Sequence, residues 1–187
     1  MQDEKLRERL DARTSIYNGH VINLEKWDVT LPNGKPAMRE VAIHKGASAI
    51  VPVDDEGYVY LVRQFRTPLQ RVLTEVPAGK LDSAGEDHLV AAKRELHEET
   101  GFTAAKWTHL VDLATTPGFC TETISLYLAE GLTRGETDFD DDEFLDLVRM
   151  PLNEAVRTAL TGGFEDAKTI AALLLAAHAR KGEGAPC

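Results

Sequence analysis

From Val21 to Val29 apolar and polar residues alternate imperfectly, as they do along a half-buried strand. Leu31-Pro32-Asn33-Gly34 follows. An Asn-Gly pair between two such runs predicts a hairpin turn, with the return strand over residues 38–44. Residues 47–53 and 58–63 predict a second hairpin across Asp54-Asp55-Glu56-Gly57. A short strand over 73–76 then leads into Pro77-Ala78-Gly79. Residues 1–13 are polar and charged, and read as a segment that is either helical or frayed.

After Gly85 the period changes. Leu89, Ala92 and Leu96 recur at helical spacing, and Gly101 supplies a stop. Strands are expected over 107–114, 123–129 and 145–150. Two helices close the pattern. One begins after Pro151 and carries Ala155, Val156 and Leu160; the other covers about 167–179. Strands, helix, strands, helices is the order of an α/β (α+β) protein whose mixed sheet packs against helices.

Composition narrows the class. The length suits one compact domain with a sizeable core. No apolar run approaches the roughly 20 residues that span a bilayer, and the charged N-terminus lacks an apolar signal core, so a cytoplasmic protein is expected. Cys120 and Cys187 are too few for a disulfide framework. With 31 acidic against 21 basic residues the net charge is −10, which argues against non-specific nucleic-acid binding. An acidic protein still binds phosphates when metal ions stand between the two sets of negative charge.

The chemistry concentrates in Arg94-Glu95-Leu96-His97-Glu98-Glu99-Thr100-Gly101. Glu95, Glu98 and Glu99 are spaced i, i+3, i+4 and share one helix face, while Leu89, Ala92 and Leu96 occupy the adjacent one. Like charges at this spacing repel, and Arg94 is placed to pair with Glu98 one turn on. On spacing alone the cluster fits either a solvated acidic face or a site for a hard divalent cation with oxygen ligands.

The flanking residues resemble the signature of the Nudix hydrolases. Glu86, seven residues, then Arg94-Glu95-Leu96-His97-Glu98-Glu99-Thr100-Gly101-Phe102 agree with it throughout. One departure is visible: six residues, not five, separate Gly79 from Glu86, which bears on the geometry of the intervening loop. The resemblance implies a Nudix fold, a mixed sheet sandwiched between helices, here preceded by an N-terminal β-hairpin region. It implies domains over 1–45, an N-terminal segment for dimerisation, and 46–187, the hydrolase proper. It places metal ligands at Glu95, Glu98 and Glu99 with the backbone of Ala78, holding Mg²⁺ or, as a substitute, Mn²⁺.

Outside the signature, Leu61-Val62-Arg63-Gln64-Phe65-Arg66, Glu75-Val76-Pro77-Ala78-Gly79-Lys80-Leu81-Asp82 and Asp166-Ala167-Lys168-Thr169 resemble the ADP-ribose and nucleotide-sugar pyrophosphatase branch. So does Thr116-Pro117-Gly118-Phe119, with Pro117 sixteen positions after Gly101. The implied reaction is hydrolysis of ADP-ribose to AMP and ribose 5-phosphate. The alternatives are a nucleotide sugar such as GDP-mannose or a UDP-sugar, or a Nudix-like module that senses a nucleotide without cleaving it.

On this resemblance Arg66 is expected to hold a phosphate, and Glu75, Glu122 and Arg39 to contact the rest of a small nucleoside-diphosphate substrate. Glu143, in the acidic stretch 138–143, is expected to be the base. Trp27 either stacks on a base or belongs to a core or a dimer interface. His97 occupies a variable position of the signature, and Cys120 reads as a small buried thiol. A homodimer that binds neither nucleic acid nor membrane completes the expectation.

Overall fold

The computed structural model describes residues 3–83, 85–135 and 144–182. Ten strands and three helices follow in the order β1 (Arg9–Asn18), β2 (Asn23–Thr30), β3 (Pro36–Ile43), β4 (Ala47–Pro52), β5 (Tyr58–Arg66), β6 (Arg71–Glu75), β7 (Ala78–Lys80), α1 (His88–Thr100), β8 (Phe102–Ala114), β9 (Thr123–Arg134), β10 (Asp146–Pro151), α2 (Leu152–Leu160) and α3 (Ala167–Arg180). The chain divides into two compact units. One is Met1–Lys45 with Ala114–Glu122; the other is Gly46–Leu113 with Thr123–Cys187.

The first unit is built on the antiparallel meander β1-β2-β3. Its β2–β3 turn forms where Asn33-Gly34 predicts it. Gly34 has φ +81° and donates to the Leu31 carbonyl at 2.8 Å, a conformation glycine adopts without cost. Strand β1 corrects the reading of residues 1–13 as helical or frayed. Among the described residues of this segment Asp3–Lys5 forms a helical turn, and Arg9–Asn18 is a strand. All ten of its positions are exposed, so it has no buried face to print an alternation on the sequence. The segment 114–122 joins this unit through backbone bonds to β3: Ala42 N–H to Phe119 O at 2.8 Å and Thr121 N–H to Ala42 O at 3.0 Å.

The second unit holds two sheets, the mixed β7-β4-β9-β8 and the antiparallel β10-β5-β6. Strand β4 runs parallel to β9 and antiparallel to β7, and it is buried throughout, hence its unbroken apolar sequence. Ala49, Val51, Leu126 and Leu128 share a core with Ala172, Leu173 and Ala176 of α3. On the opposite face Ile50, Tyr127 and Ala129 pack with Ala92 and Leu96 of α1 and with Phe102. The sheet is therefore sandwiched between helices, the expected class.

The second expected hairpin is a corner instead. The 54–57 turn closes as read, with Gly57 N–H on Asp54 O at 3.0 Å. Beyond a single bridge between Val53 and Val59 the strands part into different sheets. Each has partners on both edges already: β4 has β7 and β9, and β5 has β6 and β10. Strand β8 also starts earlier than expected, at Phe102, whose ring lies 4.5 Å from that of Tyr60. No described helix is long and apolar enough to cross a membrane.

Candidate active site

Helix α1 is held at both ends. The Asp87 carboxylate accepts from the N–H groups of Leu89 (2.9 Å) and Val90 (3.1 Å). Gly101, at φ +71°, turns the chain out while its N–H bonds His97 O at 2.8 Å. Ala92 and Leu96 anchor one face in the core, and full burial of a leucine side chain is worth about 2 kcal/mol. That anchorage fixes the rotation of the helix and directs Glu95 and Glu99 at β7.

Both glutamates are nearly buried, at 8% and 4% exposure. The Ala78 N–H donates to Glu99 Oε2 at 3.0 Å. The Glu95 carboxyl lies against Gly79, so close that a Cβ there would fall 1.9 Å from its Cδ. Two carboxylates thus meet consecutive residues of one short strand.

Arg94 is the counter-charge that the chain itself supplies. Its Nη1 reaches Glu95 Oε1 at 2.7 Å and Glu98 Oε2 at 3.1 Å. Its Nε lies 3.4 Å from Asp82 and its Nη2 lies 3.7 Å from Glu86, while Nη2 also donates to Lys80 O at 3.2 Å. Burial works against the Arg94 charge, and the surrounding carboxylates more than offset it and raise its pKa. Among the described residues no three carboxylate, imidazole or thiol groups already converge on a metal position. The donors nonetheless fit a hard divalent cation. Two mostly buried carboxylates pressed on one backbone segment carry negative charge that a cation would offset, and Mg²⁺ prefers such oxygen ligands.

A second charged group lies in the same unit. Glu75 is 2% exposed and accepts from Arg66 Nε (2.7 Å) and Nη2 (2.8 Å), and its Oε2 also takes the Lys168 ammonium. Burial alone would raise the Glu75 carboxyl. The Arg66 bonds and the Lys168 charge outweigh it and lower the pKa to about 2. Lys168 also pairs with Asp166 at 3.0 Å. Asp166 caps α3 through Thr169 N–H at 2.9 Å, and Thr169 Oγ accepts from Val76 N–H at 2.9 Å. Arg66 is held charged first by its Glu75 bonds, with the field of Glu99 adding to them. In the sequence Lys168 and Asp166 carry no signal of a role beyond the Asp166-Ala167-Lys168-Thr169 stretch.

The remaining expected residues belong to the N-terminal unit. Arg39 pairs with Glu8 and donates to Met38 O at 3.0 Å. Trp27 lies between Arg13 and Arg39 in the strand register, with the Arg13 guanidinium 4.5 Å over its ring and its own Nε1 donating to Glu25 at 2.6 Å. Glu122 accepts from Thr115 Oγ at 2.7 Å and lies 3.4 Å from His44 Nδ1. Glu143 lies outside the described residues.

The family model for the NUDIX domain matches residues 42–173. The chain belongs to the Nudix family. It is 42% identical to the ADP-ribose pyrophosphatase of Bacillus subtilis (strain 168), across 91% of this chain and 92% of that protein. It is 41% identical to the methanol dehydrogenase activator of Bacillus methanolicus (90% and 92%) and 41% identical to the ADP-ribose pyrophosphatase of Mycobacterium tuberculosis (strain ATCC 25618 / H37Rv; 88% and 80%). A crystal structure of an ADP compounds hydrolase superposes with a TM-score of 0.82 at 26% identity, covering 97% of this chain and 98% of that one. Nudix hydrolases generally need divalent metal ions, in keeping with the carboxylates gathered on α1.

Proposed function

We propose that this Nudix hydrolase cleaves the diphosphate of ADP-ribose, giving AMP and ribose 5-phosphate, with Mg²⁺ as its metal and Mn²⁺ as a substitute. The observation that carries the reading is the placement of Glu95 and Glu99 against Ala78 and Gly79. Two relatives at 41–42% identity that are named ADP-ribose pyrophosphatases support the substrate. When bound, the metal supplies charge neutralisation of the diphosphate and activation of water. Glu95, Glu99 and the Ala78 carbonyl are the proposed ligands, with Glu98 beside them.

Each remaining residue has a proposed part. Arg66 keeps Nη1 outside its pair with Glu75 and offers it to a phosphate oxygen, as guanidinium groups do well. Glu122 and Arg39 are the proposed contacts with the nucleoside or ribose. Glu143 is the proposed base, accepting the proton of the attacking water. Comparing Glu143→Gln with Asp142→Asn tests it: a larger loss of kcat in Asp142→Asn moves the role to Asp142.

The protein is proposed to act in the cytoplasm as a homodimer joined through residues 1–45. Strand β1 is exposed along its whole length and carries Leu10, Ile16 and Tyr17 at 40%, 53% and 60% exposure, apolar surface suited to a second copy.

The test is a comparison of kcat/KM for ADP-ribose, GDP-mannose and UDP-glucose in the same Mg²⁺ buffer. The proposal expects ADP-ribose to lead. A higher value for either nucleotide sugar assigns the enzyme to that substrate class instead.

A further inference from the structure

Glu75 has the wrong surroundings for a substrate contact. It is 2% exposed, and both carboxylate oxygens are taken: Oε1 by Arg66 Nε, and Oε2 by Arg66 Nη2 and Lys168 Nζ. A buried carboxylate with all this attention has little left to offer a ribose hydroxyl. What it does have is a grip on a guanidinium. Two parallel N–H···O bonds fix the plane of Arg66 as well as its position. Arg66 is the less buried partner, its side chain 39% exposed against 2% for Glu75.

Lys168 is held just as deliberately. Its side chain is 12% exposed and reaches Glu75 from the first turn of α3, where Asp166 pairs with it at 3.0 Å. Asp166 in turn takes Thr169 N–H and Oγ–H, and Thr169 Oγ takes the N–H of Val76, next to Glu75 in sequence. The start of α3 is therefore bonded to the strand end that leads into Ala78 and Gly79. Two cations, Arg66 and Lys168, face two carboxylates, Glu75 and Asp166. Without Lys168, Glu75 would spend its whole charge on Arg66 and lower the attraction of that guanidinium for a phosphate.

We propose that Glu75 and Lys168 are positioning residues which, through Arg66, aim a guanidinium edge at the diphosphate of the substrate, with Lys168 sharing the Glu75 charge so that Arg66 stays available. This rests on the reading of Arg66 as a phosphate-binding group. It assigns Lys168 a functional role and moves Glu75 from the substrate contacts to the support behind them.

A double-mutant cycle tests it, using Arg66→Met, Lys168→Met and the pair in the full-length protein. Two quantities are read for each: KM and kcat for ADP-ribose, and the Kd of inorganic diphosphate by calorimetry in Mg²⁺ buffer. Lys168→Met is expected to raise KM and Kd about tenfold with a smaller change in kcat, the pattern of lost phosphate binding. Lys168→Arg is expected to recover most of the loss. In the Arg66→Met background Lys168→Met is expected to add nothing further. Full additivity of the two mutations in Kd overturns the proposal, because Lys168 would then act independently of Arg66. An unchanged Kd in properly folded Lys168→Met, or no diphosphate binding by the wild type, also overturns it. A wild type that binds diphosphate without hydrolysing ADP-ribose refutes the substrate reading instead, and the Kd cycle still decides the positioning role.

Discussion

The carboxyl group of Glu95 rests directly on the α-carbon of Gly79, where an added Cβ would lie 1.9 Å from Cδ and 2.0 and 2.1 Å from the two oxygens. The contact explains why this strand position carries no side chain, and it makes a prediction. Gly79→Ala forces Glu95 out of place or β7 off the helix. Overpacking of this kind costs about 1–3 kcal/mol, so thermal unfolding should shift down moderately. Turnover should fall far more than stability, because the displaced group is a proposed metal ligand. Near-normal kcat in Gly79→Ala would show that the Glu95 position is not critical.

Glu99→Gln keeps the size of the side chain and an acceptor for the Ala78 N–H, but removes the charge. The expected result is a loss of activity of at least about a hundredfold with a circular dichroism spectrum like that of the wild type. The same activity at saturating Mg²⁺ in mutant and wild type would remove Glu99 from the metal shell.

Glu75 gives a pH dependence with a definite sign. Its folded pKa is depressed from 4.5 to about 2 by Arg66 and Lys168 acting against burial. A depressed carboxylate contributes stability that is fully present above its unfolded value and is lost as pH falls through the folded one. The Tm gap between wild type and Glu75→Gln should therefore be widest near neutrality and narrow as pH drops from about 4.5 toward 2. A gap that stays constant over that range would mean the ion pairs with Arg66 and Lys168 add nothing to folding.

Assembly is tested through β1. Light scattering at micromolar concentration should give twice the chain mass, and charged replacements at Ile16 and Tyr17 together should shift the protein toward monomer. A fully active monomer at that concentration would contradict the proposed dimer.

How much of this was legible in the sequence depends on how local each feature is. Helix α1 could be read because its signals sit inside one segment: Leu89, Ala92 and Leu96 at helical spacing, Gly101 at the end and three glutamates on one face. The Asn33-Gly34 turn was legible for the same reason. Strand β1 was not, because periodicity records burial and all its positions are exposed. The 54–57 turn is legible in Asp54-Asp55-Glu56-Gly57, yet β4 pairs with β7 and β9 while β5 pairs with β6 and β10, so the local pattern predicts a hairpin where a corner forms. Glu75 illustrates the limit at the site. Its neighbours in sequence suggested a substrate contact, while the residue that shares its charge, Lys168, lies 93 positions away.

The measurement that bears most directly on the central claim is a metal titration of ADP-ribose hydrolysis with both products identified. The protein is stripped with a chelator, and Mg²⁺ is then added back stepwise to wild type and to Glu99→Gln. The account predicts no turnover without metal, then saturable formation of AMP and ribose 5-phosphate in equal amounts by the wild type, and almost none by Glu99→Gln. Equal turnover by both proteins, or cleavage that persists without any divalent ion, would contradict it.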